Sequence, residues 1–171
     1  MASLVLTLIG DDRPGLVSAL SAPISAHGAS WQRSQMARLA GKFAGILQVT
    51  VAADRVDALV ADLNALEHDG LHVVVERTDE AEPEERQRLH LDLLGSDHPG
   101  IVAEISACLG DRGIGIEELG TDLREAPMAG GLLFEARAVL DAPTTTDLGA
   151  LRSMLEELAD ELMVEIRLSD D

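Results

Sequence analysis

Two short stretches carry residue types that could bind a small charged ligand. They are Gly10-Asp11-Asp12-Arg13-Pro14-Gly15 and Gly95-Ser96-Asp97-His98-Pro99-Gly100. Each follows an apolar run and precedes a helical pattern, so each reads as a turn from a strand into a helix N-terminus. Free N–H groups and the helix dipole at such an end favour an anionic group. Gly15 and Gly100 lack a side chain, so a ligand or a neighbouring backbone can approach closely. Asp12 and Asp97, with Asp11 beside the first, supply carboxylates that could hold an ammonium group. A carboxylate beside an anion-binding helix end suits an α-amino acid, which carries both charges. The same Asp, Pro and Gly also serve a turn and a helix start for structural reasons alone. At this level the two readings stand side by side.

The elements around these turns are duplicated. Leu4–Val17 aligns without a gap on Leu89–Val102, at the constant offset of 85 residues that separates Asp12 from Asp97. The register runs on through Ser21-Ala22 against Ser106-Ala107 and Gly28 against Gly113. Leu4 to Ile9 and Leu89 to Leu94 read as strands, with Leu at alternate positions. Pro14 and Pro99 are expected at or near the first turn of a helix, where a missing N–H costs nothing. Leu16, Val17, Leu20 and Ile24 recur at helical spacing, as do Ile101, Val102, Ile105 and Leu109; Gly28 and Gly113 end these helices. Paired strands follow at roughly 29–39 and 43–52, and at 114–124 and 132–140, the second pair joined by the turn-rich 125–131. A second helix in each copy carries the stripes Val56, Leu59, Val60, Leu63, Leu66 and Leu148, Leu151, Leu155, Leu158, with Leu162 open to either this helix or the strand that follows. Closing strands are expected over 71–77 and 162–168. The order is βαββαβ twice, an α+β arrangement of antiparallel sheets with helices on one face. The expected boundaries are a first domain over 1–78, an exposed acidic linker over 79–87 broken by Pro83, and a second domain over 88–171.

Composition narrows the function. The chain has 171 residues, with 31 acidic and 13 basic side chains and a formal charge of −18. Gripping a phosphate backbone needs a positive field, so direct nucleic-acid binding is not expected. Aromatics make up only 2% of the chain, too few for a stacking platform. The single Cys108 excludes an internal disulfide and a multi-cysteine zinc cluster, and its setting reads as a core thiol. None of His27, His68, His72, His90 and His98 forms an HxH pair, and no metal or other cofactor is expected. No GxSxG elbow, Walker loop or GxGxxG occurs. Asp11-Asp12 could in principle do acid–base work, but nothing supports it, and the expectation is a protein that is not an enzyme. His98, where the first copy has Arg13, reads as a solvated neighbour of the helix start or as a source of pH-sensitive binding. Trp31 reads as a packing residue or as the lining of a pocket between domains. Arg33 and Arg38 protect a strand edge or meet a ligand carboxylate. No apolar run reaches the roughly 20 residues of a membrane span. The start, Met1-Ala2-Ser3-Leu4, reads as a strand rather than a signal peptide, and a soluble cytoplasmic protein is expected.

The apolar strand, the Gly-x-Asp-(Arg/His)-Pro-Gly-(Leu/Ile)-Val turn, the helix and the Gly before the next strand resemble the ACT domain. Two copies with little else resemble the glycine cleavage system transcriptional repressor family, as does Ala126-Pro127-Met128-Ala129-Gly130 followed by Leu132-Leu133-Phe134. The resemblance spans about residues 3–168. It implies two ferredoxin-like βαββαβ modules that sense an amino acid, with glycine one possibility, and a ligand held between modules paired at sheet edges. It places the contacts at Asp12, Arg13, Pro14 and Gly15, at Asp97, His98, Pro99 and Gly100, and at second-strand positions Ser30 and Gly115. Ligand-binding members often have Asn at the second-strand position, so Gly115 implies two unequal sites. The resemblance further implies regulation through a DNA-binding protein partner rather than DNA. Open sheet edges invite pairing, so a homodimer is expected, with no membrane contact. The alternatives are a ligand-free interaction module and a regulatory subunit of an amino-acid metabolic enzyme.

Overall fold

The computed structural model describes residues 1–79, 84–128 and 130–170. The chain divides into two compact units, Met1–Glu82 and Pro83–Asp171. Unit 1 runs β1 (Ala2–Asp11), α1 (Leu16–Ala26), β2 (Ser30–Leu39), β3 (Lys42–Val51), α2 (Val56–Ala65) and β4 (Leu71–Thr78). Unit 2 runs β5 (Arg86–Ser96), α3 (Ile101–Gly110), β6 (Gly115–Glu125), β7 (Leu132–Pro143), α4 (Leu148–Leu162) and β8 (Val164–Asp170). The sheet orders are β2-β3-β1-β4 and β6-β7-β5-β8, and every pairing is antiparallel. The expected α+β, ferredoxin-like fold is therefore present twice.

Strand alternation builds each core. Leu4, Leu6 and Leu8 of β1 are buried on the helix side, under Leu16, Leu20 and Ile24 of α1 and Val56, Leu59 and Leu63 of α2. Leu89, Leu91 and Leu93 of β5 play the same part under Ile101, Ile105 and Leu109 of α3 and Leu151, Leu155 and Leu158 of α4. Each fully buried leucine adds about 1.5–3 kcal/mol. Gly10 and Gly95 let the central strand pass close to the end strand. A Cβ on Gly10 would lie 2.6 Å from the Gly70 carbonyl oxygen, and one on Gly95 would lie 2.5 Å from a Val164 methyl.

Several boundaries differ from the sequence reading. Pro14 and Pro99 precede the helices, which start at Leu16 and Ile101, because Gly15 and Gly100 at the N-caps take a left-handed backbone. β8 begins at Val164 rather than at residue 162, since Leu162 ends α4 and Met163 caps it at φ 54°. β5 begins at Arg86, inside the stretch expected as linker. There Arg86 Nε donates to Asp141 Oδ2 at 2.7 Å and Nη2 donates to the Gly113 carbonyl at 2.9 Å. Linker residues Glu80, Ala81, Glu82 and Pro83 lie outside the described residues, as does Ala129 in the β6–β7 connection. No helix among the described residues is long and apolar enough to cross a membrane.

Candidate functional site

The two turns are held by the same backbone bond. The Asp12 N–H donates to the Gly41 carbonyl and the Asp97 N–H to the Leu132 carbonyl, each at 2.9 Å. The turn is thereby fixed to the connection between the next two strands. Pro14 and Pro99, both exposed, lead into Gly15 (φ 90°, ψ 3°) and Gly100 (φ 96°, ψ −4°). That conformation reverses the chain into the helix and favours glycine strongly.

Neither helix start is capped by a side chain. Asp is among the preferred N-cap residues, and in α4 it does that work, with Asp147 Oδ1 accepting from the Ala150 N–H at 3.1 Å. Asp12 and Asp97 do not. Asp12 instead accepts from Arg38 Nη1 of β2 at 3.4 Å. The Asp97 carboxylate has no hydrogen bond or ion pair among the described residues, and its charge acts on His98. The N–H groups of both helix starts therefore remain open to an anion, with a carboxylate nearby.

The side chain at the next turn position is hydrogen-bonded within its own unit, with Arg13 exposed and His98 half-buried. Arg13 Nη2 donates to the Asp69 carbonyl at 2.6 Å, where the chain enters β4. His98 Nε2 lies 2.7 Å from the Leu162 carbonyl at the end of α4, and its Nδ1 lies 3.1 Å from the Pro99 carbonyl. Both ring nitrogens face acceptors, so the imidazolium alone satisfies both. The Leu162 bond, then the Pro99 bond, raises the His98 pKa above its usual 6.5. Arg13 and His98 thus fasten their turns to the corner before the last strand. An Arg and a His at one repeat position are two donors for one job, which is the signal the sequence held.

The remaining candidates separate. Asp11 ends β1 opposite Lys42, whose ammonium hydrogen-bonds it and lowers its pKa. Ser30 and Gly115 open the edge strands β2 and β6, and Ser30 Oγ accepts from Gln32 Nε2 at 3.0 Å. Trp31 packs on the unit 1 core, and its Nε1 donates to Ser34 Oγ at 3.2 Å. A bulge between Trp31 and Arg33 puts Trp31 and Ser34 on the same face. Arg33 is exposed. His27 Nε2 meets Asp62 at 2.6 Å and His72 lies 3.5 Å from Glu67; no metal-holding cluster of His, Cys, Asp or Glu occurs among the described residues. Cys108 is half-buried, 3.3 Å from the Met154 sulfur, and burial raises its pKa.

The family model described as the ACT domain matches residues 2–76 and again 87–169. The chain belongs to the ACT domain family. This tandem ACT chain is 28% identical to an unknown protein from Galdieria sulphuraria, with a TM-score of 0.88 over 99% of this chain and 98% of that one. It also matches the fold of a protein provisionally described as a glycine cleavage system transcriptional repressor. That match has 18% identity and a TM-score of 0.72, and covers 98% of this chain and 96% of the other. No curated protein matches the ACT chain.

Proposed function

We propose that this tandem ACT protein senses an amino acid and regulates through protein contacts, without catalysing a reaction. One observation carries the reading. In both copies an uncapped helix start lies beside an aspartate that is not spent on capping it. A zwitterion needs that pair of opposite features, with N–H donors for its carboxylate and a carboxylate for its ammonium group. The ligand residues are Asp11, Asp12, Arg13, Pro14 and Gly15 in one turn, Asp97, His98, Pro99 and Gly100 in the other, and Ser30 and Gly115 at the second-strand positions. Arg13 and His98 act by holding the turn. The fold shared with a provisionally described glycine cleavage repressor supports a role in controlling that system. At a charge of −18 the protein reaches DNA through a DNA-binding partner, and it works in the cytoplasm as a homodimer. A ligand that prefers one conformation shifts the population toward it, and the partner reads the shift.

Thermal shift of the full chain against a panel of amino acids at millimolar concentration tests this. A ligand at 100 times its Kd stabilises by about 2.7 kcal/mol, a plain rise in Tm. Asp12→Ala and Asp97→Ala keep the fold and lose the response. If no amino acid raises Tm, the sensing role fails. Tight, sequence-selective binding to promoter DNA alone would refute the protein intermediary.

A further inference from the structure

Each sheet packs one face on its helices and turns the other away, and the two outward faces differ. In unit 1 the outward residues form rows across the strand order β2-β3-β1-β4. The middle row is Gln35, Ile46, Thr7 and Val74, and the row nearer the end of β1 is Ala37, Ala44, Ile9 and His72. Ile9, Ile46 and Val74 are 47%, 54% and 43% exposed, so apolar surface lies open at the centre of the face. On the other side of the middle row stand Arg33, Gln48, Val5 and Glu76. Arg33 and Glu76 end that row at opposite edges of the sheet. Both are exposed, and neither has a hydrogen bond or ion pair among the described residues. Charged residues take the matching places in unit 2. Its middle row is Gly120, Arg137, Asp92 and Arg167, and the row nearer the end of β5 is Asp122, Glu135, Leu94 and Glu165.

The charges at the sheet edges select the occupant of the unit 1 face. Two packed sheets lie about 10 Å apart with their strands nearly aligned. A two-fold axis between two copies of this face, running along the strands, exchanges the edges and keeps the rows. Arg33 of each copy then lies over Glu76 of the other, and the ion pair forms twice. Between the two pairs, Val5, Ile9, Ile46 and Val74 of the two copies cover one another. The same operation on unit 2 would set Asp122 over Glu165 and take Arg137 and Arg167 out of water. A unit 1 face laid on a unit 2 face would bury those charges against apolar side chains, which is costly. We infer that the outward sheet face of unit 1 is a homodimer interface, meeting the same face of a second copy about a two-fold axis along the strands. This rests on the homodimeric reading and assigns it a surface. Strand spacing and rise give the face roughly 600 Å² per copy. The total of roughly 1,200 Å² lies at the lower end of stable interfaces, so the dimer dissociates on dilution.

Sedimentation equilibrium of the full chain over a range of concentrations tests the assignment. Arg33→Glu and Glu76→Arg each set like charges face to face twice, and each raises the dimer Kd at least about tenfold. They change the net charge in opposite senses, so a loss shared by both does not come from overall repulsion. The double variant Arg33→Glu/Glu76→Arg restores the pairing and returns Kd to within about threefold of wild type. Ile46→Lys puts a charge in the middle of the apolar patch and abolishes the dimer. All four keep the native far-UV circular dichroism spectrum, because each side chain is exposed. Single variants that dimerise like wild type, or a double variant no tighter than either single one, overturn the assigned face and leave the homodimer standing. A wild-type chain that stays monomeric overturns both, and amino-acid sensing then stands or falls on its own thermal-shift test.

Discussion

Replacing Gly100 with alanine tests the geometry on which the ligand site depends. Gly100 holds φ 96° and ψ −4° at the start of α3, and nothing lies within 4 Å of the position a Cβ would occupy. No neighbour must move, so the cost is in the backbone alone. The left-handed region costs an L-residue about 1–2 kcal/mol. Alanine also removes freedom from the unfolded chain, which returns about 0.4–1 kcal/mol. The net expectation is a loss of about 1 kcal/mol. In a domain of roughly 60–100 residues, that lowers Tm by about 4–8 °C. Gly110 supplies the control. It ends α3 in helical conformation, again with nothing within 4 Å of its Cβ position. Alanine there gains up to about 1 kcal/mol from helix propensity. The same substitution at the two ends of one helix therefore shifts stability in opposite directions. Gly100→Asn recovers part of the loss, because Asn tolerates the left-handed region. Urea denaturation followed by far-UV circular dichroism, with an unchanged m value, reads all three. If Gly100→Ala is neutral, or moves with Gly110→Ala, the helix start is not held as described and the anion site loses its basis.

Two further outcomes follow from the same geometry. The raised His98 pKa means that the stability from its contacts is complete below 6.5 and is lost as pH rises through the higher folded value. An NMR titration of His98 should show the elevated value, and denaturation across this range should flatten with pH in His98→Arg; an ordinary value for His98 would refute the clamp. Gly10→Ala forces a Cβ to 2.6 Å from the Gly70 backbone oxygen, and should cost about 1–3 kcal/mol or more, measured by chemical denaturation.

The duplication carries most of what the sequence reveals. Alternating leucines at 4, 6, 8 and 89, 91, 93 announce which face of each central strand is buried, because strand periodicity is local. Side-chain destinations are not local. Arg13 reaches a carbonyl 56 residues on and His98 one 64 residues on, and no spacing rule links those positions. Likewise, that Asp12 meets Arg38 while Asp97 stands free depends on which β2 and β6 positions oppose Phe43 and Phe134, a register set partly by bulges. Where the repeats diverge, the structure turns the difference into chemistry. On the sheet faces away from the helices, Thr7 lies between Ile46 and Val74, while its counterpart Asp92 lies between Arg137 and Arg167. On the opposite faces, Trp31 packs on the unit 1 core, while its counterpart Ile116 is 39% exposed. Two units with one backbone and opposite surfaces in two places are not redundant copies. A fold held by the same leucine pattern has left its surface positions free to diverge, so the units are expected to differ in the ligand they accept and in the surface they offer a partner.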